Sequence, residues 1–278
     1  ILDPLLIFGI GPFARMEAAG AAIATVTAQV IVTAVFLLKA VRDQEFLGNV
    51  RIWKAVPVSY MKTMVGLGLP SAIQNLIYAG ISMVLTRMVS AYGAEAVATQ
   101  RVGGQIESIS WNTADGFAAA LNAFIAQNYG AGKPERIWSG IKASTLMMVI
   151  YTAVTFLILM LGAKSFALIF VDPSEIEILE KTELFLHISV SFFPMLGLLC
   201  ILRYTIQGVG YTNLAMFSGV SEMIARILVS IYAVPAFGFI AVCYGDPMAW
   251  IAADLFLIPA FIYVYRRLKR QVLTSVVA

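Results

Sequence analysis

Long apolar runs recur along this chain, and each is close to the length that a helix needs to cross a membrane. A bilayer core of about 30 Å requires ~20 mostly apolar residues in helical conformation. The runs therefore predict an all-α membrane protein, a polytopic bundle of helices. Residues 1–10 resemble the end of one span, and full spans are expected at residues 20–41, 64–87, 97–126, 139–163, 183–207, 212–234 and 247–265.

The composition excludes most other classes of protein. Of the 278 residues, 60% are hydrophobic and 13% are charged, and the mean hydropathy is +0.86. A soluble domain is about half apolar and a quarter charged. No basic motif or zinc-ligand spacing indicates nucleic acid as a partner, and Cys200 and Cys243 match no metal-binding pattern. We see no nucleophile–base or metal-ligand set, so the sequence predicts neither an enzyme nor a bound cofactor.

The charged residues gather between the spans, and their sign alternates from one connection to the next. Segment 172–183 carries five acids and a single lysine. The connections expected on the opposite side are basic, with Lys39, Arg42, Arg51, Lys54, Lys62, Lys133, Arg136, Lys142, Arg266, Arg267, Lys269 and Arg270. Basic connections face the cytoplasm in most membrane proteins. The carboxyl terminus is therefore predicted to be cytoplasmic.

The longest break between spans divides the chain. We predict that residues 1–41 end an amino-terminal lobe, that 42–63 form a cytoplasmic linker, and that 64–270 form a carboxyl-terminal lobe of six spans. Residues 271–278 are predicted to be a cytoplasmic tail. Because the chain does not begin with Met and its first residues read like the inside of an element, we expect sequence upstream of Ile1 to be missing.

Several motifs resemble the multidrug and toxic compound extrusion (MATE) family of cation-coupled antiporters. They are Leu2–Gly9 with Ala19–Thr25, then Gly66–Gln74, then Ala126–Lys133, and finally Arg203 with Gln207–Gly210. The resemblance implies twelve helices in two six-helix lobes around a central cavity. This chain would hold one complete six-helix lobe and the last one to two helices of the preceding lobe.

The resemblance also implies a function. It predicts a monomeric antiporter that exports small organic and often cationic compounds across the bacterial plasma (inner) membrane by alternating access. Transported H⁺ or Na⁺ would supply the energy. Two alternatives stay open: a lipid-linked oligosaccharide flippase of related fold, which would need a strongly basic cavity, and an inactive truncated product.

Acidic residues within the spans are the first candidates for the coupling site, because a carboxylate at the centre of a membrane helix needs a partner, a proton or a cation. Asp3 matches the acid of an Asn-x-x-x-Asp pattern in one branch of the family, with Na⁺ as its candidate ligand. The alternative role is a helix-end cap beside Pro4. Glu107 and Asp115 are eight residues apart and share one helix face. They are candidates for cation or proton coupling or, alternatively, part of a polar seam between helices.

The remaining candidates are polar groups suited to a substrate cavity or to an ion pair. The predicted cavity residues are Gln74, Asn75, Tyr78, Asn112, Asn122 and Asp254. Glu222 and Arg226 have the spacing of an ion pair within one helix, which favours a structural role.

Overall fold

A computed structural model describes residues 5–7, 9, 12, 14–42, 57–90 and 92–277. The side chains at positions 40, 41, 67, 70, 71, 74, 75, 77, 78, 81, 84, 85, 88 and 270–277 lie outside this description. Within it the chain is helical and contains no strand, which confirms the all-α prediction. The helices are α1 (Glu17–Arg42), α2 (Val58–Ser90), α3 (Ala94–Gly130), α4 (Pro134–Ala167), α5 (Ile176–Ser191), α6 (Phe193–Gly208), α7 (Thr212–Leu228), α8 (Val234–Phe237), α9 (Phe239–Cys243) and α10 (Gly245–Val277).

Each predicted span coincides with one of these helices or with a broken pair of them. Four stretches in the described part of the chain are long and apolar enough to cross a membrane: Glu17–Lys39, Pro134–Ala167, Thr212–Phe237 and Gly245–Lys269. A fifth is the pair α5 and α6, which bends by 47° at Phe192. Helix α3 is long enough but more polar, because charged and amide side chains occupy one of its faces.

Two features interrupt the predicted spans, and proline stands at both. Pro194 lies in the first turn of α6, where its missing N–H is harmless, and its ring disfavours a helical residue before it. The second interruption is a π-helical turn, Val229–Ala233, between α7 and α8, which ends two residues before Pro235. The prolines explain a bend, but the sequence pattern contains no sign of the π turn.

By contacts the chain divides into two compact units, Ile1–Met61 and Lys62–Ala278. In the first, the backbone of residues 5–7 lies against α1. The N–H of Met16 donates to the Leu6 carbonyl at 2.9 Å. A Cβ added at Gly20 would lie 2.6 Å from that carbonyl oxygen, so glycine is needed for this close approach. Of the predicted linker 42–63, residues 43–56 lie outside the described part, and α2 begins at Val58.

In the second unit, α4 buries only one side and exposes apolar residues on the others, as expected of a helix that faces lipid. Its buried residues form one narrow stripe, spaced three, four or seven apart: Ile137, Ser144, Met148, Thr152, Thr155, Leu159, Ala163 and Ala167. The rest of the helix is also apolar, and Leu161 is 87% exposed. A helix that is apolar on all sides is typical of a membrane span. The buried stripe packs on a core that includes Phe193, Leu196 and Trp250.

Candidate functional site

The second unit encloses a cavity of about 560 Å³ between α2, α3, α5, α6, α7, α9 and α10. Helix α3 supplies the largest share of its wall, with Gln100, Arg101, Gly104, Gln105, Glu107, Ser108, Trp111 and Asp115. These residues lie on one face of the helix at intervals of three, four and seven. The polarity that makes α3 the least apolar predicted span is therefore concentrated on the cavity side.

Aromatic and charged side chains complete the wall. The other lining residues are Ser82, Thr86, Phe185, Leu196, Leu199, Cys200, Arg203, Tyr204, Glu222, Arg226, Val242, Asp246 and Trp250. Among the described lining residues, the charged members are three arginines and four acids. Two tryptophans, a phenylalanine and a tyrosine offer flat apolar surfaces beside them. This combination suits an organic solute that carries charge.

Four of the charged side chains form a continuous ion-pair network across three helices. Arg203 on α6 pairs with Glu222 on α7 and also donates from Nε to Ser218 at 3.0 Å. Arg226 donates to Glu222 at 3.3 Å and to Asp246 on α10 at 2.9 Å. The network therefore contains two guanidinium groups and two carboxylates, and its net charge is zero. It holds α6, α7 and α10 together along the cavity.

Glu107 and Asp115 both line the cavity but have different surroundings. The hydroxyl group of Tyr204 donates to Asp115 Oδ1, which fixes that carboxylate against α6. Glu107 is 7% exposed, and its Oε1 has no hydrogen-bond partner among the described residues. Arg101 is exposed in the same wall, and no described acid lies within ion-pair distance of it. Glu107 is thus the cavity acid whose charge is least compensated by direct contacts.

Asp254, predicted as a cavity residue, lies behind the wall instead. It is 4% exposed, and neither of its carboxyl oxygens has a hydrogen-bond partner among the described residues. Trp250, one helical turn earlier on α10, does line the cavity. Arg203 and Glu222 are close enough to Asp254 to interact with it electrostatically. The acid therefore lies next to the ion-pair network without belonging to it.

Of the other predicted residues, Asn112 and Asn122 are described and are not among the residues that line the cavity. Asn112 is exposed. Asn122 lies at the contact of α3 with α6, where a Cβ on Gly208 would be 2.9 Å from its carbonyl oxygen. Gln74, Asn75 and Tyr78 fall within α2, but their side chains are outside the described residues. Asp3 is also outside them.

Sequence reasoning missed Asp246 and Tyr204 as site residues and treated Arg203 only as part of a family motif. Arg203 and Glu222 are 19 residues apart, and Arg226 and Asp246 are 20 residues apart. In each of these pairs the two residues lie on different helices, so no helical spacing in the sequence relates them. Only tertiary packing reveals the partners. Of the network, the sequence predicted only the pair Glu222 and Arg226, from their i,i+4 spacing.

Among the described residues, no group of three or more acidic, histidine or cysteine side chains is arranged to hold a metal ion.

Comparison with known proteins decides the family. The family model described as MatE matches residues 70–232, more than half of the chain and five of the seven helices that line the cavity. The chain belongs to the MatE family. This agrees with the resemblance seen in the sequence motifs, and MatE proteins are membrane transporters, not enzymes.

Curated MatE relatives align with most of this chain. The chain is 31% identical over 182 residues to a protein of Shewanella oneidensis named FAD transporter, which covers 64% of the chain and 39% of that relative. It is 27% identical over 179 residues to the probable multidrug resistance protein NorM of Thermotoga maritima, again covering 64% of the chain and 38% of the relative. The chain thus spans less than two thirds of the curated relatives it matches.

Solved structures share the MatE fold. A mutant form of the Vibrio cholerae MATE transporter VcmN superposes with a TM-score of 0.78 at 20% identity, over 96% of this chain and 59% of that one. A MOP superfamily transporter from Pyrococcus furiosus gives a TM-score of 0.76 at 18% identity, with the same coverage. At these identities the likeness shows the fold alone.

Proposed function

We propose that this protein exports small organic solutes across the bacterial plasma membrane by cation-coupled antiport, with H⁺ or Na⁺ as the coupling ion. The observation that carries the proposal is a cavity in a MatE chain that combines four aromatic rings with four acids. Aromatic rings bind varied apolar solutes without strict geometry. The acids supply sites where a solute and a coupling cation compete.

Glu107 and Asp115 are the cavity acids proposed to take part in coupling. An acidic side chain at the centre of a membrane helix costs ~2.5–3.5 kcal/mol on insertion scales, and a bound proton or cation removes that cost. A carboxyl group reached alternately from the two sides of the membrane can therefore link cation entry to solute exit. Asp3 keeps the same proposed role, with Na⁺ or H⁺ as its ligand.

Efflux measurements on single variants test the proposal. We expect Glu107→Gln and Asp115→Asn each to reduce gradient-driven efflux of a fluorescent organic cation at least tenfold, because an amide cannot take up and release a proton. Asp172→Asn is the matched control, since Asp172 is exposed in the connection before α5 and should leave efflux unchanged. Full efflux in both cavity variants would exclude these acids from coupling, and the same test on Asp3→Asn addresses the first lobe.

A flavin dinucleotide is a second candidate solute. One relative is named an FAD transporter, and this cavity has Arg101 and Trp111 in the same wall, ten residues apart on α3. A guanidinium group binds a diphosphate and a tryptophan stacks on a flat ring, so two separated groups suit an extended dinucleotide. We expect FAD export to fall in Arg101→Gln, while export of an organic cation is retained. Loss of both activities in that variant would indicate general damage rather than solute selection.

The lipid-linked oligosaccharide flippase is not favoured. That function predicted a strongly basic cavity for pyrophosphate, whereas the lining contains four acids and three arginines, two of which are engaged by acids. Flipping of a fluorescent lipid-linked sugar without export of any dye would reverse this conclusion. We propose that the protein acts as a monomer. A single species with monomer mass in detergent is the expected result of light scattering.

A further inference from the structure

Asp254 occupies an unusual place for an acid. It lies in the buried stripe of α10, between Trp250 and Leu257, and α6 and α7 pack against this helix. Counted from Gly245 at the start of the helix, it is about 14 Å along the axis, close to the middle of a bilayer core of about 30 Å. Its carboxyl group is therefore shielded from the protein surface, and no described group donates a hydrogen bond to it.

The charged and titratable groups near Asp254 come from α6 and α7, the two helices with the most extensive contacts to α10. Helix α6 contributes Arg203 and Cys200, and α7 contributes Glu222. Arg203 is engaged by Glu222, and Glu222 also accepts from Arg226. Arg226 in turn pairs with Asp246. Within the described residues, every nearby positive charge is thus matched by another acid before Asp254 is counted.

Charge counting over these four described side chains favours a protonated Asp254. Arg203 and Arg226 contribute two positive charges, and Glu222 and Asp246 contribute two negative charges, so the network is neutral. An ionised Asp254 would add one uncompensated negative charge in the middle of the membrane, which is strongly unfavourable. A metal cation is a poor alternative, because it needs several oxygen ligands and both Glu222 oxygens already accept from arginines.

We propose that Asp254 is a proton-binding site behind the cavity wall, and that it keeps its proton only while the Arg203–Glu222–Arg226–Asp246 network is neutral. When Glu222 loses its negative charge, or when a cation in the cavity takes Glu222 from Arg203, the network has an excess positive charge. Asp254 then releases its proton to water, and its carboxylate pairs with Arg203 in place of Glu222. Proton binding at Asp254 does not depend on the proposed function, whereas a role of this proton in export does.

Infrared spectroscopy of the purified protein in lipid nanodiscs tests the first half of the proposal. A protonated carboxyl group has a carbonyl stretch that an ionised one lacks. At neutral pH we expect this band to lose the intensity of one carboxyl group in Asp254→Asn. Asp172→Asn is the matched control and should not change the band, because Asp172 is an exposed acid held ionised by two hydrogen bonds from Ser174. An unchanged band in Asp254→Asn would overturn the proton site.

The second part of the proposal, in which Asp254 replaces Glu222 as the partner of Arg203, is tested by Glu222→Gln. This variant removes a negative charge from the network but leaves Asp254 in place. We expect the Asp254 band to disappear at neutral pH in this variant, since Asp254 then ionises to replace Glu222. Persistence of the band would overturn the exchange.

Stability gives an independent measurement that does not depend on the spectrum. Asp254→Asn should melt within a few degrees of wild type, because an amide resembles the protonated acid. Glu222→Gln should also melt close to wild type, because Asp254 then ionises and replaces the lost carboxylate. The double variant, which has no replacement acid, should lose far more stability than the sum of the two single variants. Additive losses would contradict the exchange, and neither stability result requires transport activity.

Discussion

At the scale of single residues, Arg226 is the side chain on which the cavity wall most depends. It is 6% exposed and connects Glu222 on its own helix with Asp246 on α10. Removing one partner of a buried ion pair costs ~3–5 kcal/mol, because the remaining charge has no compensation. We expect Arg226→Leu to lower the free energy of unfolding by about this amount, measured by thermal melting in detergent. Arg87→Gln, at an exposed arginine of α2, should have little effect.

Replacement of Arg226 by lysine separates the effect of its charge on stability from the effect of its hydrogen-bond geometry. Arg226→Lys keeps the positive charge but replaces the planar guanidinium group, with its several N–H donors in fixed directions, by a compact ammonium group. Its loss of stability should fall between wild type and Arg226→Leu. Equal stability of Arg226→Leu and wild type would show that the network contributes nothing to the fold.

Residue by residue, the sequence identified the chemistry of the site better than its geometry. The cost of burying acids singled out Glu107 and Asp115, the i,i+4 spacing to Arg226 singled out Glu222, and all three line the cavity. Asp254 was predicted as a polar residue of the cavity wall, since its residue type does not distinguish a wall position from a position behind the wall. The rotation of α10 about its own axis decides which of its side chains face the cavity. Packing against α6 and α7 sets that rotation.

At the scale of elements, two adjacent glycines of α3 have different roles. A Cβ added at Gly103 would lie 2.4 Å from Cδ1 of Phe185, a buried ring on α5. A Cβ added at Gly104 would meet no described atom within 4 Å. Alanine stabilises a helix interior by about 1 kcal/mol relative to glycine. We expect Gly104→Ala to show this gain and Gly103→Ala to lose it, with a further cost of ~1–3 kcal/mol from overpacking.

Melting curves of the two variants measure the difference directly. The pair shares one helix and one chemical change, so differences in helix propensity cancel. If both variants melted at the same temperature, the close approach of α3 and α5 would not depend on glycine.

The elements themselves were largely predictable. Within the described residues, apolar runs located each helix that is both long and apolar enough to span a membrane, because the side chains that face lipid are apolar. The breaks were harder. Pro194 signalled a kink, but the interruption falls at Phe192, where the backbone leaves helical geometry two residues earlier. The π turn, Val229–Ala233, left no trace in residue type.

At the scale of the whole molecule, the direction of the chain through the membrane can be tested from α4. This helix has 34 residues and is about 51 Å long, longer than a bilayer core of about 30 Å. Its two flanking connections must then lie on opposite sides. The positive-inside rule predicts that the connection at Lys133 is cytoplasmic and that the acidic connection at Pro173 is outside.

Cysteine labelling checks this orientation in a variant whose Cys200 and Cys243 are replaced by serine, since Cys200, although buried, lines the cavity. We expect a membrane-impermeant maleimide to label Pro173→Cys in intact cells and Lys133→Cys only after the cells are permeabilised. Labelling of both variants from the same side would mean that α4 does not cross the membrane. The reversed pattern would place the carboxyl terminus outside the cell.

The π turn between α7 and α8 also affects how this span can change in length. A turn with i→i+5 bonding accommodates one residue more than an α-helical turn, and each residue of an α-helix advances the chain by about 100°. Loss of one residue from Val229–Ala233 would convert the turn to ordinary helix and leave Arg226 and Pro235 facing their present directions. The same loss within α4 would rotate everything after it away from its neighbours. This short segment is therefore where the protein can absorb a deletion without re-aiming its buried charges.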